Sequence, residues 1–98
     1  MISNKKEDTI INFMETLETT KNFWINKLSK LEGYRFVISG HDEYRCNFHI
    51  LFYLYNVPYG VTFEMTDKKE WEVRVLSTRH DMASILCSAI KWELEDLK

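Results

Sequence analysis

Cys46 and His49 lie three residues apart, close enough in sequence to suggest a thiol nucleophile and its imidazole base. The residues around them alternate apolar and polar, which predicts a strand. On a strand, positions 46 and 49 point to opposite faces, so the two groups cannot meet. Cys46 is therefore expected to be a buried, reduced, structural thiol. His41-Asp42 and His80-Asp81 resemble the dipeptide of metal-dependent phosphohydrolases, which add further ligands from a helical scaffold. Here one pair falls in a predicted turn and the other at a helix start. A mixed site of His41, His80 and neighbouring carboxylates has no ligand spacing behind it. The sequence has no glycine-rich phosphate loop and no serine-centred elbow. The expectation is a protein that is not an enzyme, with no catalytic residues, no metal and no cofactor.

The residue types that remain suit binding. Cys46, Phe48, Ile50, Phe52 and Leu54 take one side of the strand, leaving Arg45, Asn47, His49, Leu51, Tyr53 and Tyr55 on the other. Strand parity adds Arg35, Val37, Thr62, Glu64, Glu72, Arg74 and Leu76 to that second face. A solvated antiparallel face is usually polar throughout, whereas this one mixes Leu51, Tyr53 and Tyr55 with three arginines and a histidine. Tyr and Arg are enriched at binding hot spots. The candidate binding set is Arg35, Arg45, His49, Leu51, Tyr53, Tyr55 and Arg74.

Those side chains need a sheet with one face left open. Apolar residues recur at three- and four-residue steps over residues 5–31 (Ile10, Phe13, Met14, Leu17, Trp24, Ile25, Leu28, Leu31), predicting a helix that either breaks near Thr20 or overhangs the sheet. From Tyr34 the period becomes two. Tyr34, Phe36 and Ile38 are expected inward, with a turn over 40–43. The second strand follows over 45–55, then a turn over 56–60 containing Pro58. Val61, Phe63 and Met65 form a third inward row, and Trp71, Val73 and Val75 a fourth. Thr78 with Asp81 reads as a cap for a second helix whose stripe is Met82, Leu86, Ala89, Ile90 and Leu97. Cys87 is expected at its flank, as filler. Lys21 and Glu93 interrupt the two helical stripes; each is expected at a helix end overhanging into solvent, and the alternative, since they come to similar heights if the helices are antiparallel neighbours, is that they pair. Residues 1–98 thus predict one α+β domain: a two-layer sandwich, helix, four-stranded antiparallel meander, helix, with both helices on one sheet face.

Composition narrows the partners. Apolar residues make up 45% of the chain, a folding rather than disordered composition. Thirteen basic and fifteen acidic residues are spread without a basic run, which argues against nucleic acid and against a polybasic membrane contact. MISNKKEDTI has charges where a signal peptide needs an apolar stretch, and the two cysteines sit in patterned elements, so a cytoplasmic location is expected. Abundant Lys, Asn and Ile with few Arg fit an AT-rich genome such as phages and low-GC bacteria have. The element order resembles small two-layer modules such as double-stranded-RNA-binding domains and secretion chaperones. The second helix opens Ser77-Thr78-Arg79-His80-Asp81, without the lysines of the former, and the latter's extra strand–helix segment is missing. The expectation is a protein-interaction module, a small phage or bacterial inhibitor, immunity or accessory protein, with a protein partner, as a homodimer, or both. The alternative is a small anionic ligand or nucleotide held by the same Arg, Tyr and His side chains.

Overall fold

The computed structural model describes residues 5–96, with side chains from 17 to 95. Helix α1 (Lys5–Leu28) is followed by strands β1 (Tyr34–Asp42), β2 (Asn47–Leu54), β3 (Val57–Met65) and β4 (Trp71–Ser77), and then by α2 (His80–Asp96). The strands form one antiparallel meander in the order β1-β2-β3-β4, and both helices cover the same face. The expected architecture is what the chain adopts.

Helix α1 runs without a break through Thr20, and at about 36 Å it is longer than any strand. It ends at Leu28 rather than Leu31, unwinding through tighter bonds from Lys30 N–H to Lys27 O and from Leu31 N–H to Leu28 O. Among its described side chains Leu17, Trp24 and Leu28 are buried. Ile10, Phe13 and Met14 lie outside the described side chains.

Phe48, Ile50, Phe52, Val61, Phe63 and Val73 form the sheet's buried rows beneath the helices. The Phe48 and Phe63 rings stack at 4.5 Å, and Trp24 closes over Phe63 at 5.1 Å. Such ring pairs add about 0.5–1.5 kcal/mol each beyond their area burial. Along α2 the buried stripe is Ala83, Leu86, Cys87, Ile90 and Leu94, one step round from the expected one. Met82 and Ala89 are exposed, and Leu97 is outside the described residues. Cys87 is half-buried, and its thiol donates to the Val73 carbonyl at 3.6 Å. The Ser77 hydroxyl oxygen, rather than Thr78, accepts the Arg79 N–H ahead of α2.

Three local features correct the expected strand boundaries. Phe36 pairs with Phe52 but Ile38 pairs with Leu51, so Val37 is a bulge residue without a partner. The extra residue reverses parity after it: Ile38 faces the open side and His41 the helices. Next, β1 continues to Asp42 and the turn is 43–46. Asp42 Oδ1 accepts the N–H groups of Tyr44 and Arg45 at 2.9 and 3.2 Å, and Cys46 closes the turn with φ 56°. Arg45 and Cys46 are therefore turn residues, not strand residues. Lastly, β2 and β3 are joined by Tyr55 and Asn56 alone, with φ 50° and 66°, the two-residue hairpin geometry that matches strand twist. Pro58 is thus inside β3, opposite Tyr53. It is tolerated because β4 pairing begins at Tyr59↔Ser77, so no ladder bond needs its missing N–H.

Lys21 and Glu93 do not pair. Helix α1 stops five residues before β1, so Lys27 comes level with Glu93, Nζ to Oε2 3.1 Å. Lys21 Nζ lies instead 3.0 Å from His41 Nδ1, which the bulge has turned toward the helices.

Candidate functional site

The open face is a grid of rows crossing the strands. Arg35, Tyr53 and Pro58 form the first row. Ile38, Leu51, Gly60 and Leu76 form the second, and Gly40, His49, Thr62 and Arg74 the third. Asp42, Asn47, Glu64 and Glu72 form the last. The second row is apolar across all four strands, with Ile38 52%, Leu51 40% and Leu76 74% exposed. Leu51, Gly60 and Leu76 of this row, with Val37, Tyr53 and Pro58, line a shallow depression of ≈ 610 Å³.

Two glycines flatten this face. A Cβ on Gly60 would stand 3.1 Å from Leu51 Cδ2, and one on Gly40 would stand 2.9 Å from His49 Cε1. Leu51 and His49 therefore lie down over their neighbours, and the surface between Ile38 and Leu76 is low. Flat apolar area of this kind suits a broad contact better than an enclosing pocket.

Charge is arranged around the apolar row. The Arg35 guanidinium lies over the Tyr53 ring at 4.6 Å to its centroid. Arg74 Nη2 is 3.5 Å from Glu72 Oε1 and 4.0 Å from Glu64 Oε1, so its charge is already engaged by two carboxylates. At the start of α2, Arg79 and Asp81 are bonded at 3.3 Å. The Asp81 carboxyl is held below its ordinary range, chiefly by that hydrogen bond.

Of the seven expected binding residues, Arg35, His49, Leu51, Tyr53 and Arg74 share the open face. Arg45 is in the β1–β2 turn, at the opposite end of the sheet from Arg35. Tyr55 is at the other hairpin tip, where its N–H donates to the Gly33 carbonyl at 3.0 Å and its hydroxyl donates to Glu32. The three arginines are not gathered around one point. His41 and His80 stand at opposite ends of the sheet, and among the described residues no cluster of His, Cys, Asp and Glu has metal-binding geometry.

Three features escaped the sequence reading. Ile38 completes the apolar row, and only the run Phe36-Val37-Ile38, which period two cannot place on alternate faces, could have signalled it. A cleft of ≈ 710 Å³ lies between α1, the C-terminal part of α2 and the β3–β4 turn, lined by Phe23, Trp24, Trp71, Lys69 and Lys91. Met82, Ile85, Ala89 and Trp92 recur along the uncovered side of α2 at helical spacing, and all are exposed. No helix is long and apolar enough to cross a membrane among the described residues. No protein-family model, curated protein or solved structure matches this chain, so the geometry of the open face carries the functional reading.

Proposed function

We propose that the chain is a non-enzymatic protein-interaction module, a small phage or bacterial inhibitor, immunity or accessory protein working in the cytoplasm through its open sheet face. One observation carries this reading: the row Ile38–Leu51–Gly60–Leu76 is apolar and uncovered across the full width of the sheet. Solvated sheet faces normally break such rows with polar residues, and apolar area bordered by Arg and Tyr has the make-up of an interface centre with its rim. The small-anion reading is weaker, because Arg74 is taken up by Glu64 and Glu72 while Arg35 and Arg45 lie at opposite ends of the sheet.

The test is capture of proteins from a bacterial lysate on immobilised wild-type chain, compared with Leu51→Asp, Leu76→Asp and Trp92→Asp chains. All three sites are exposed, so folding should survive, which circular dichroism checks. Proteins held by wild type and by Trp92→Asp but lost on both face variants support the reading. Equal retention on all four chains, or loss with Trp92→Asp alone, would move the working surface off the sheet.

A further inference from the structure

We infer that two copies of this chain join through their β1 edges into one continuous eight-stranded sheet. The two edges of the sheet are not alike. Strand β4 carries Glu72 and Arg74 along its length and lies under α2. Among the described residues strand β1 pairs with β2 alone, and its middle, Phe36-Val37-Ile38-Ser39-Gly40, has no charge. Phe36 on the helix side is 46% exposed and Val37 on the open side 50% exposed. An uncharged edge strand with uncovered apolar residues on both faces is a template for another strand. Covering one face alone, by a partner on the open side, would leave Phe36 in water.

The occupant is a second copy because the edge is complementary to itself. Residues opposite each other across a strand pair must lie on the same face. Setting Val37 aside, as its pairing with β2 already does, β1 alternates with Arg35, Ile38, Gly40 and Asp42 on the open side and Phe36, Ser39 and His41 on the helix side. A two-fold axis at Ser39 then places Arg35 opposite the partner's Asp42, Phe36 opposite the partner's His41 and Ile38 opposite the partner's Gly40. Every pair keeps its face. The only opposite-sign side chains on the open side of β1, Arg35 and Asp42, fall against each other twice, and opposite charges directly across a strand pair are favourable. The His49 ring lies over Gly40, so the partner's Ile38 packs beside that ring in this pairing. Two-fold axes at Ile38 or Gly40 also keep faces, but they set Arg35 opposite the partner's Gly40 or Asp42 opposite the partner's Ile38 and lose both charge pairs. The bulge discourages an arbitrary strand from adding here, whereas a copy with the same bulge meets it symmetrically.

Sedimentation of the full chain tests this independently of whatever the open face binds. The native mass should be twice the 11.8 kDa of the chain. Arg35→Asp, which sets carboxylate against carboxylate in both Arg35–Asp42 pairs of the proposed dimer, should return it to one chain while the circular dichroism spectrum is kept. Ser39→Cys should form a disulfide-linked dimer under mild oxidation, well beyond the wild-type background from Cys46 and Cys87, because opposed strand residues lie within thiol reach. Leu76→Asp, on the far strand, should leave the mass doubled. A wild-type mass of one chain, no excess cross-linking by Ser39→Cys, or dissociation by Leu76→Asp but not by Arg35→Asp would each overturn the inference.

Discussion

Lys27 Nζ stands 3.1 Å from Glu93 Oε2 across the seam of the two helices, and this contact ties the end of α1 to the last turns of α2. Both side chains are 39% exposed, so solvent screens the pair and its worth is that of a surface bridge. A double-mutant cycle of Lys27→Met with Glu93→Leu should give a coupling of about 0.2–1 kcal/mol, shrinking as salt is added. Lys21→Met with Glu93→Leu should show none. Urea unfolding of the four chains in each cycle measures this, and coupling in the Lys21 cycle would contradict the seam geometry.

Sheet position, more than face, sets the cost of losing a ring. Phe48 and Phe36 point to the same side, yet Phe48 is fully buried under the helices and Phe36 sits half-uncovered on the edge. Phe48→Ala should cost about 3–5 kcal/mol, as large-to-small core changes do, and Phe63→Ala, which removes the other stacked ring, should cost about as much. Phe36→Ala in the separated monomer should cost about 1 kcal/mol or less. Equal losses at Phe36 and Phe48 in urea unfolding would mean that the helices cover β1 as fully as β2.

Fold class was legible because period-three-to-four and period-two patterning are each strong here, and the inward rows through Phe48, Phe63 and Val73 followed from alternation alone. What alternation cannot see is an inserted residue. Val37 costs nothing in pattern, since Phe36, Val37 and Ile38 are all apolar, yet it swaps the faces of everything from Ile38 to Asp42. Turns were misplaced for a related reason. Tyr55 and Cys46 adopt positive φ without being the Gly or Asn that usually marks it, while Pro58, read as a turn, is excused by its place beyond the end of β4. Most of the candidate face survived because His49, Leu51, Tyr53 and Arg74 lie on strands without bulges. Arg45 and Tyr55 were lost at strand ends, where parity stops applying.

The bulge gives a sharp deletion test. Removing Val37 leaves Phe36 beside Ile38, each still opposite its present β2 partner, so the strand becomes regular without any side chain changing face. Inserting an alanine after Ser39 instead adds a second surplus residue, so a second bulge must form or Gly40, His41 and Asp42 must turn over. The Val37 deletion should unfold cooperatively with a loss within the roughly 0.5–3 kcal/mol of ordinary point changes. The insertion should lose clearly more. Similar unfolding midpoints for the two variants would show that Val37 is not the extra residue.

Tyr55 reports on the hairpin tip through its proton. The hydrogen bond to Glu32, with a smaller contribution from desolvation, raises its pKa above the ordinary 10.0. A folded-state pKa above the unfolded value means that the contact's stabilisation is complete below pH 10 and is lost as pH rises through the folded value. Spectrophotometric titration should show a late tyrosinate transition that Tyr55→Phe removes and Glu32→Gln shifts down. Gly33→Ala should shift it down too, since φ is 80° there and a Cβ would stand 2.8 Å from the Tyr55 ring. The strain alone should cost that variant about 1–2 kcal/mol. A transition that Glu32→Gln leaves in place would show that the carboxylate does not hold the hydroxyl.

The two sheet glycines separate the apolar row from the polar one beside it. Gly60 does not have positive φ, so alanine is allowed there, and it trims unfolded-chain freedom by about 0.4–1 kcal/mol. Against that gain, its Cβ would stand 3.1 Å from Leu51 Cδ2, the far end of a side chain that can swing away. The two effects oppose, and Gly60→Ala should change stability by about 1 kcal/mol or less. Its effect on the face is larger, because Leu51 must rise from the low surface between Ile38 and Leu76 and any partner shaped to that row meets a ridge. Gly40→Ala displaces His49 in the next row, from which the apolar contact gains nothing. Proteins retained by the wild-type chain should therefore be weakened by Gly60→Ala and kept by Gly40→Ala, with both variants folded by circular dichroism. The reverse order would place the recognition in the His49 row, with Thr62 and Arg74, and leave Leu51 and Leu76 as surface without a role in binding.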